Sequence, residues 1–92
     1  GLEPTLDAAN NGRIQTLIIT QGFRKNAFRC KSTGLLTTDP DTTCTGEDDA
    51  EKVYDVVEVL VSQVMRSGGD VEVVIASPAL ENAGHIGAIL RY

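Results

Sequence analysis

Cys30, Cys44 and His85 are the side chains in this 92-residue chain best suited to hold a metal or attack an electrophile. A structural zinc site needs four Cys or His ligands, with the cysteines usually in C-x2–4-C pairs. Neither cysteine has a partner at that spacing; Thr33 stands where Cys30 would need one, and His85 is far along the chain. Spacing therefore argues against zinc. A Cys–His nucleophilic pair has the right residue types but no local signature. The cysteines read as free thiols or as a local disulfide between hairpin arms. His85, between Gly84 and Ile86 at a helix–strand junction, reads as a surface or capping residue.

The carboxylates offer no stronger site. Asp39 and Asp41 flank Pro40 but lack the remaining ligands of a calcium loop. Asp48 and Asp49 read as charge at a helix start. No phosphate-binding glycine motif, nucleophile elbow or zinc-protease motif is present. Gly68-Gly69 follows a helix instead of opening one, which makes a poor phosphate cradle. Nothing in these patterns argues for an enzyme, and no cofactor or small-molecule substrate is expected.

Composition sets the frame for these residues. A chain of 92 residues, 41% hydrophobic and 23% charged, is a single globular domain by default. Its net charge of −5 argues against a nucleic-acid module built on bulk positive charge. Without Trp, and with only two Tyr and two Phe, a base-stacking platform is not expected. No run approaches the roughly 20 apolar residues of a membrane span. Two cysteines are too few for a disulfide scaffold, so a cytoplasmic location is the default expectation. The chain opens Gly-Leu-Glu-Pro without an initiator Met, which reads as a piece of a longer protein.

The net charge is a sum of two opposed segments. Arg13, Arg24, Lys25, Arg29 and Lys31 fall in a stretch with no acid; Asp39, Asp41, Glu47, Asp48, Asp49, Glu51, Asp55 and Glu58 follow, interrupted only by Lys52. Either the two neutralise each other in the fold, or the basic segment is available to a ribosome or an acidic partner. On the second reading Arg24, Lys25, Arg29 and Lys31 are the candidate partner-binding residues.

The elements that would position these groups alternate in type. Leu2–Ala9 reads as a short helix with Pro4 in its first turn, ended by Asn10-Asn11-Gly12. Ile14–Thr20, rich in β-branched residues, reads as a central strand covered on both faces. Ala27–Cys30 and Gly34–Thr37 read as a hairpin turned at Lys31–Thr33, inside an irregular segment expected to be exposed and mobile. Val53, Val56, Val57, Leu60, Val61 and Val64 recur at helical period, predicting a helix over Asp48–Ser67. Its acids Asp48, Asp49 and Glu51 would complement the positive end of the helix dipole. Val71–Ala76 reads as a strand, Ser77–Ala83 as a capped short helix, and Ile86–Arg91 as a last strand. Such alternation implies an α/β layered sandwich with a mixed sheet.

Two stretches resemble a known family. The end of the chain, Ser67-Gly68-Gly69-Asp70-Val71-Glu72-Val73-Val74 and then Ala83–Tyr92, is similar to the close of the C-terminal domain of class-1 peptide chain release factors. These are the archaeal and eukaryotic factors, with their relative pelota and bacterial homologues. Their final strand runs G-G-I-G/A-A-I/L-L-R-Y; here His85 replaces the second Gly. Leu6–Ile19 resembles the same domain's first helix, turn and strand. The resemblance spans nearly the whole chain, residues 1–92. It implies a three-layer α/β/α sandwich with a mixed sheet, related to the ribosomal-protein fold that binds kink-turn RNA, with a hairpin-like insert after the first strand.

Many family members carry a zinc ribbon of two C-x-x-C-G knuckles at that insert. Here residues 23–47 keep Cys30 and Gly34 of one knuckle and Cys44 of the other, with Thr33 in place of one cysteine and Thr45-Gly46-Glu47 where another would follow. The segment resembles a degenerate ribbon that has lost its metal. The hydrolysis-triggering G-G-Q motif of the family lies in another domain, and none occurs here. The resemblance thus implies a non-catalytic protein-interaction domain that docks a translational GTPase on the ribosome, in termination or ribosome rescue. An RNA-binding module of the kink-turn-related fold is the alternative. It would use Arg13, Arg24, Lys25, Arg29 and Lys31, although Gly1-Leu2-Glu3-Pro4 lacks the Asn-Glu pair of that RNA-binding group. A redox or metal module at Cys30 and Cys44 is a third.

Overall fold

A computed structural model of the chain describes residues 1–75 and 77–92. Helix α1 (Leu2–Asn10) leads into strand β1 (Ile14–Thr20), followed by β2 (Ala27–Cys30) and β3 (Leu36–Thr37). The short helix α2 (Pro40–Thr43) and a single 3-10 turn (Glu47–Asp49) lead to β4 (Ala50–Val53). Then come α3 (Val56–Arg66), β5 (Asp70–Val74), α4 (Pro78–Asn82) and β6 (Ile86–Leu90). The result is a mixed α/β protein with two three-stranded sheets.

The larger sheet has the order β5-β1-β6. β1 is its central strand, parallel to β5 and antiparallel to β6, so the sheet is mixed as the alternation of elements implied. Ile14, Leu17 and Ile19 are buried, while Thr16, Ile18 and the terminal Thr20 are half-buried. A register shift between Ile14 and Thr16 brings Ile14 onto the side of Leu17 and Ile19. Against that side pack Leu6, Ala8 and Ala9 of α1 and Val56, Val57, Leu60 and Val64 of α3, which with Ile86 form the core. Gln63 of α3 donates to the Ala9 carbonyl at 2.8 Å, tying the two helices together.

The smaller sheet has the order β3-β2-β4, all antiparallel. Two expectations are corrected here. The helix expected from Asp48 begins only at Val56. Asp55 is its N-cap, its side chain accepting the Glu58 N–H at 3.4 Å, and the segment Ala50–Val53 is a strand whose Val53 pairs with Ala27. Val53 lies three residues before Val56 and so mimics the helical period, but its burial comes from β2. Asp48, Asp49 and Glu51 accordingly do not sit at the helix terminus. The insert is also less exposed than its polarity suggested: Ala27, Cys30, Leu36 and Thr37 are buried. The sheet it builds runs past residue 47 to Val53.

The remaining elements follow their local signals. Ser77 caps α4 by accepting the Leu80 N–H at 3.2 Å, with Pro78 in the first turn. The strand expected over Val71–Ala76 spans Asp70–Val74, and Ala76 lies outside the described residues. Among the described residues no helix is long and apolar enough to cross a membrane.

Candidate functional site

The insert is built around one covalent bond. Cys30, fully buried at the end of β2, is disulfide-bonded to Cys44, which follows α2. Of the two readings left open by spacing, free thiols and a local disulfide, the structure takes the second. The hairpin closes beside it, with the Gly34 N–H donating to the Cys30 carbonyl at 2.7 Å and the Cys30 N–H to the Leu35 carbonyl at 2.9 Å. Gly34 sits at φ +77°, a left-handed conformation that glycine adopts without a Cβ penalty.

Asp49 completes this knot. Its carboxylate accepts the backbone N–H of Ser32 at 2.8 Å, the Ser32 hydroxyl at 2.9 Å and the Thr45 N–H at 3.1 Å, while its own carbonyl accepts the Lys31 N–H at 2.7 Å. These donors favour the ionised carboxylate. The Thr45 N–H, ahead of the Ser32 groups, holds its pKa below the ordinary 3.8 against a partial desolvation that pushes the other way. Read from sequence as helix-start charge, Asp49 instead fastens both ends of the disulfide loop. No local pattern marks it, because its partners lie at Ser32 and Thr45 on separate turns.

Cys30, Cys44 and Asp49 also form the metal-type cluster of the described residues, their ligand atoms within 4.8 Å of one another. They do not fit a zinc centre in this form. Both sulfurs are spent on each other, so neither is a thiolate, and the Asp49 oxygens are already engaged. The same bond removes the nucleophile from a Cys–His pair. His85 stacks on Phe23 with ring centroids 5.6 Å apart, and its φ of +69° places it in a tight turn between α4 and β6.

The four candidate partner-binding residues divide in two. Arg24 pairs with Asp55 at 2.9 Å, and Arg29, opposite Glu51 in the β2–β4 ladder, approaches it to 3.9 Å. For these two, the basic and acidic segments do neutralise each other. Lys25 and Lys31 are exposed and form no ion pair among the described residues. Arg29 also reaches a shallow cleft of about 470 Å³ shared with Tyr54, Asp55, Glu58 and Arg66. Tyr54 is three-quarters exposed on its rim, with the Lys52 ammonium 5.3 Å from the ring centroid. Tyr54 went unremarked in the sequence, since a single aromatic between a strand and a helix carries no periodic signal.

Compared with known proteins, the chain matches no family model, and no curated protein matches it significantly.

Proposed function

We propose that this chain is a non-catalytic protein-interaction domain of a release-factor-like protein of translation termination or ribosome rescue, docking a translational GTPase or the ribosome. The observation that carries the reading is the resemblance of two separate stretches, Leu6–Ile19 and Ile86–Tyr92. Their strands β1 and β6 are hydrogen-bonded neighbours, paired from Ile14↔Leu90 to Ile19↔Ile86. Segments at opposite ends of the chain that resemble one domain are thus parts of one sheet. On this reading the helices and the larger sheet form the three-layer α/β/α sandwich related to the kink-turn-binding ribosomal fold, and residues 23–47 are its modified ribbon.

Within the insert, Lys25 and Lys31 form no ion pair among the described residues and are the cations placed to meet a partner, while Arg24 and Arg29 answer acids of their own chain. The test is co-sedimentation of the chain with ribosomes, and a pull-down with a GTP-loaded translational GTPase. Association weakened about tenfold by Lys25→Glu with Lys31→Glu supports the reading. No association with either target overturns it. Binding to protein-free ribosomal RNA that falls steeply with salt would favour the RNA-binding alternative.

A further inference from the structure

A second cleft, of about 490 Å³, lies between α1 and β6 and involves none of the charged insert. One wall is a single face of α1, with Pro4, Thr5, Ala8 and Asn11 at helical spacing; the other side is Gly87, Ala88 and Leu90 of β6. Among the described residues β6 is an edge strand, paired only with β1. The ladder fixes which of its backbone groups are used. The Thr20 N–H donates to the His85 carbonyl at 2.9 Å, and the Arg91 N–H to the Arg13 carbonyl at 2.8 Å. Antiparallel ladders alternate, so Gly87, Ile89 and Arg91 face β1, as does the His85 carbonyl, while the His85 N–H turns to the Leu80 carbonyl. Ile86, Ala88 and Leu90 aim their N–H and C=O groups away from it. Ile86 is fully buried, which leaves Ala88 and Leu90 to present theirs along the cleft.

We propose that this cleft accepts an extended peptide segment of a partner protein as a fourth strand beside β6. An open row of main-chain donors and acceptors is complementary to another extended backbone. Ala88, on the face of β6 toward α1, is small enough to let that backbone come close. The wall offers little competing polarity: the Thr5 hydroxyl donates to the Gly1 carbonyl and the Asn11 side-chain amide to the Asp7 carbonyl. Two charges give the slot a direction. The exposed Asp7 carboxylate lies on the wall and the Arg13 guanidinium lines the cleft too, its Nε and Nη2 donating to the Tyr92 carbonyl and its Nη1 facing no protein acceptor among the described residues. The segment that fits carries an acidic side chain at the Arg13 end and a basic one beside Asp7. The sheet's other edge, β5, differs in carrying the exposed carboxylates of Asp70 and Glu72 beside the exposed Val73.

This inference rests on the reading of the chain as an interaction domain, but on neither its translational setting nor Lys25 and Lys31. Its test pans a phage library of random dodecapeptides on the chain, then titrates one enriched peptide by fluorescence anisotropy and maps it by amide chemical shifts. The expected result is micromolar binding with shifts concentrated at Ala88, Leu90 and the facing turns of α1. Ala88→Pro should weaken binding at least tenfold, since it deletes an outward N–H where an edge strand tolerates proline. Should that variant fail to fold, N-methylation of alternate peptide amides must produce the same loss. No enriched peptide, shifts on another surface, or binding indifferent to both changes overturns the proposal. Ribosome or GTPase binding lost on Lys25→Glu with Lys31→Glu, while peptide binding persists, separates the two readings.

Discussion

Asn10 and Leu36 meet as two short lengths of chain would in a sheet. The Asn10 side-chain amide donates to the Leu36 carbonyl at 2.8 Å, and its oxygen accepts the Leu36 N–H at 2.9 Å. The last residue of α1 thereby holds β3, and with it the smaller sheet, against the helix. Both Leu36 groups sit at a buried position, where an unpartnered main-chain N–H or C=O is costly.

Asn10→Ala should destabilise the fold by about 1–3 kcal/mol, the cost of leaving a buried donor and acceptor unmet. Asn10→Asp keeps the acceptor but sets a carboxylate oxygen against the Leu36 carbonyl, so it should be no more stable than Asn10→Ala. Urea denaturation of the three proteins checks the order. Equal midpoints would show that the insert docks by other contacts.

The Cys30–Cys44 bond closes a loop of fourteen residues in sequence separation. Cys30→Ser with Cys44→Ser should cost about 3 kcal/mol, chiefly by freeing the unfolded chain. Wild type in excess dithiothreitol should match the double variant, and adding the reductant to that variant should change nothing. A thiol titration of native protein that finds two reactive sulfurs would contradict the bond itself.

Asp49 makes the insert sensitive to acid. Folding lowers its pKa from the ordinary 3.8. Its stabilising effect is therefore complete above the unfolded-state value and is lost as pH falls through the lower folded-state value. Amide exchange at Ser32 and Thr45 should accelerate relative to the core amides of Leu17 and Leu60 as pH drops below 4. Asp49→Asn should show low protection at these two sites relative to the core amides already at pH 6, and that ratio should change little as pH falls.

Gly69 marks a close approach of backbones. A Cβ there would lie 2.7 Å from Cγ1 of Val64 and 2.9 Å from the Gln15 carbonyl oxygen, so main chain must move to admit it. Gly69→Ala should cost about 1–3 kcal/mol, as overpacking of a filled site does. Gly46→Ala meets nothing within 4 Å and should leave the thermal midpoint close to wild type.

How much of this was legible depended on whether the cause was local. β1 is named residue for residue by its β-branched run, and α4 by Ser77 and Pro78. β4 was hidden because Val53 fits the helical spacing of the valines after it, while its reason for being a strand, the pairing with β2, lies outside any local window. The disulfide stayed one of two options for the same reason: a separation of fourteen residues does not reveal whether two Cα atoms come within 5.2 Å. Asn10 and Asp49 act through partners 26 and 17 residues away, and no short motif announces such contacts.

The register shift at the start of β1 has a consequence for how this chain tolerates change in length. One additional residue on β1 moves the strand out of phase, so Ile14 lands beside Leu17 and Ile19 although its number is even and theirs are odd. Deleting Gln15 would restore strict alternation with Ile14 still opposite Leu90 and still inward, because the extra residue sits between two pairs that are already in phase. The link from α1 to Ile14, residues 11–13, would keep its length. The bulge is thus a local slack in β1 that the strand can lose without moving α1 or the insert. Substitutions at this exposed position should be silent, and its deletion should leave the β1–β6 register intact.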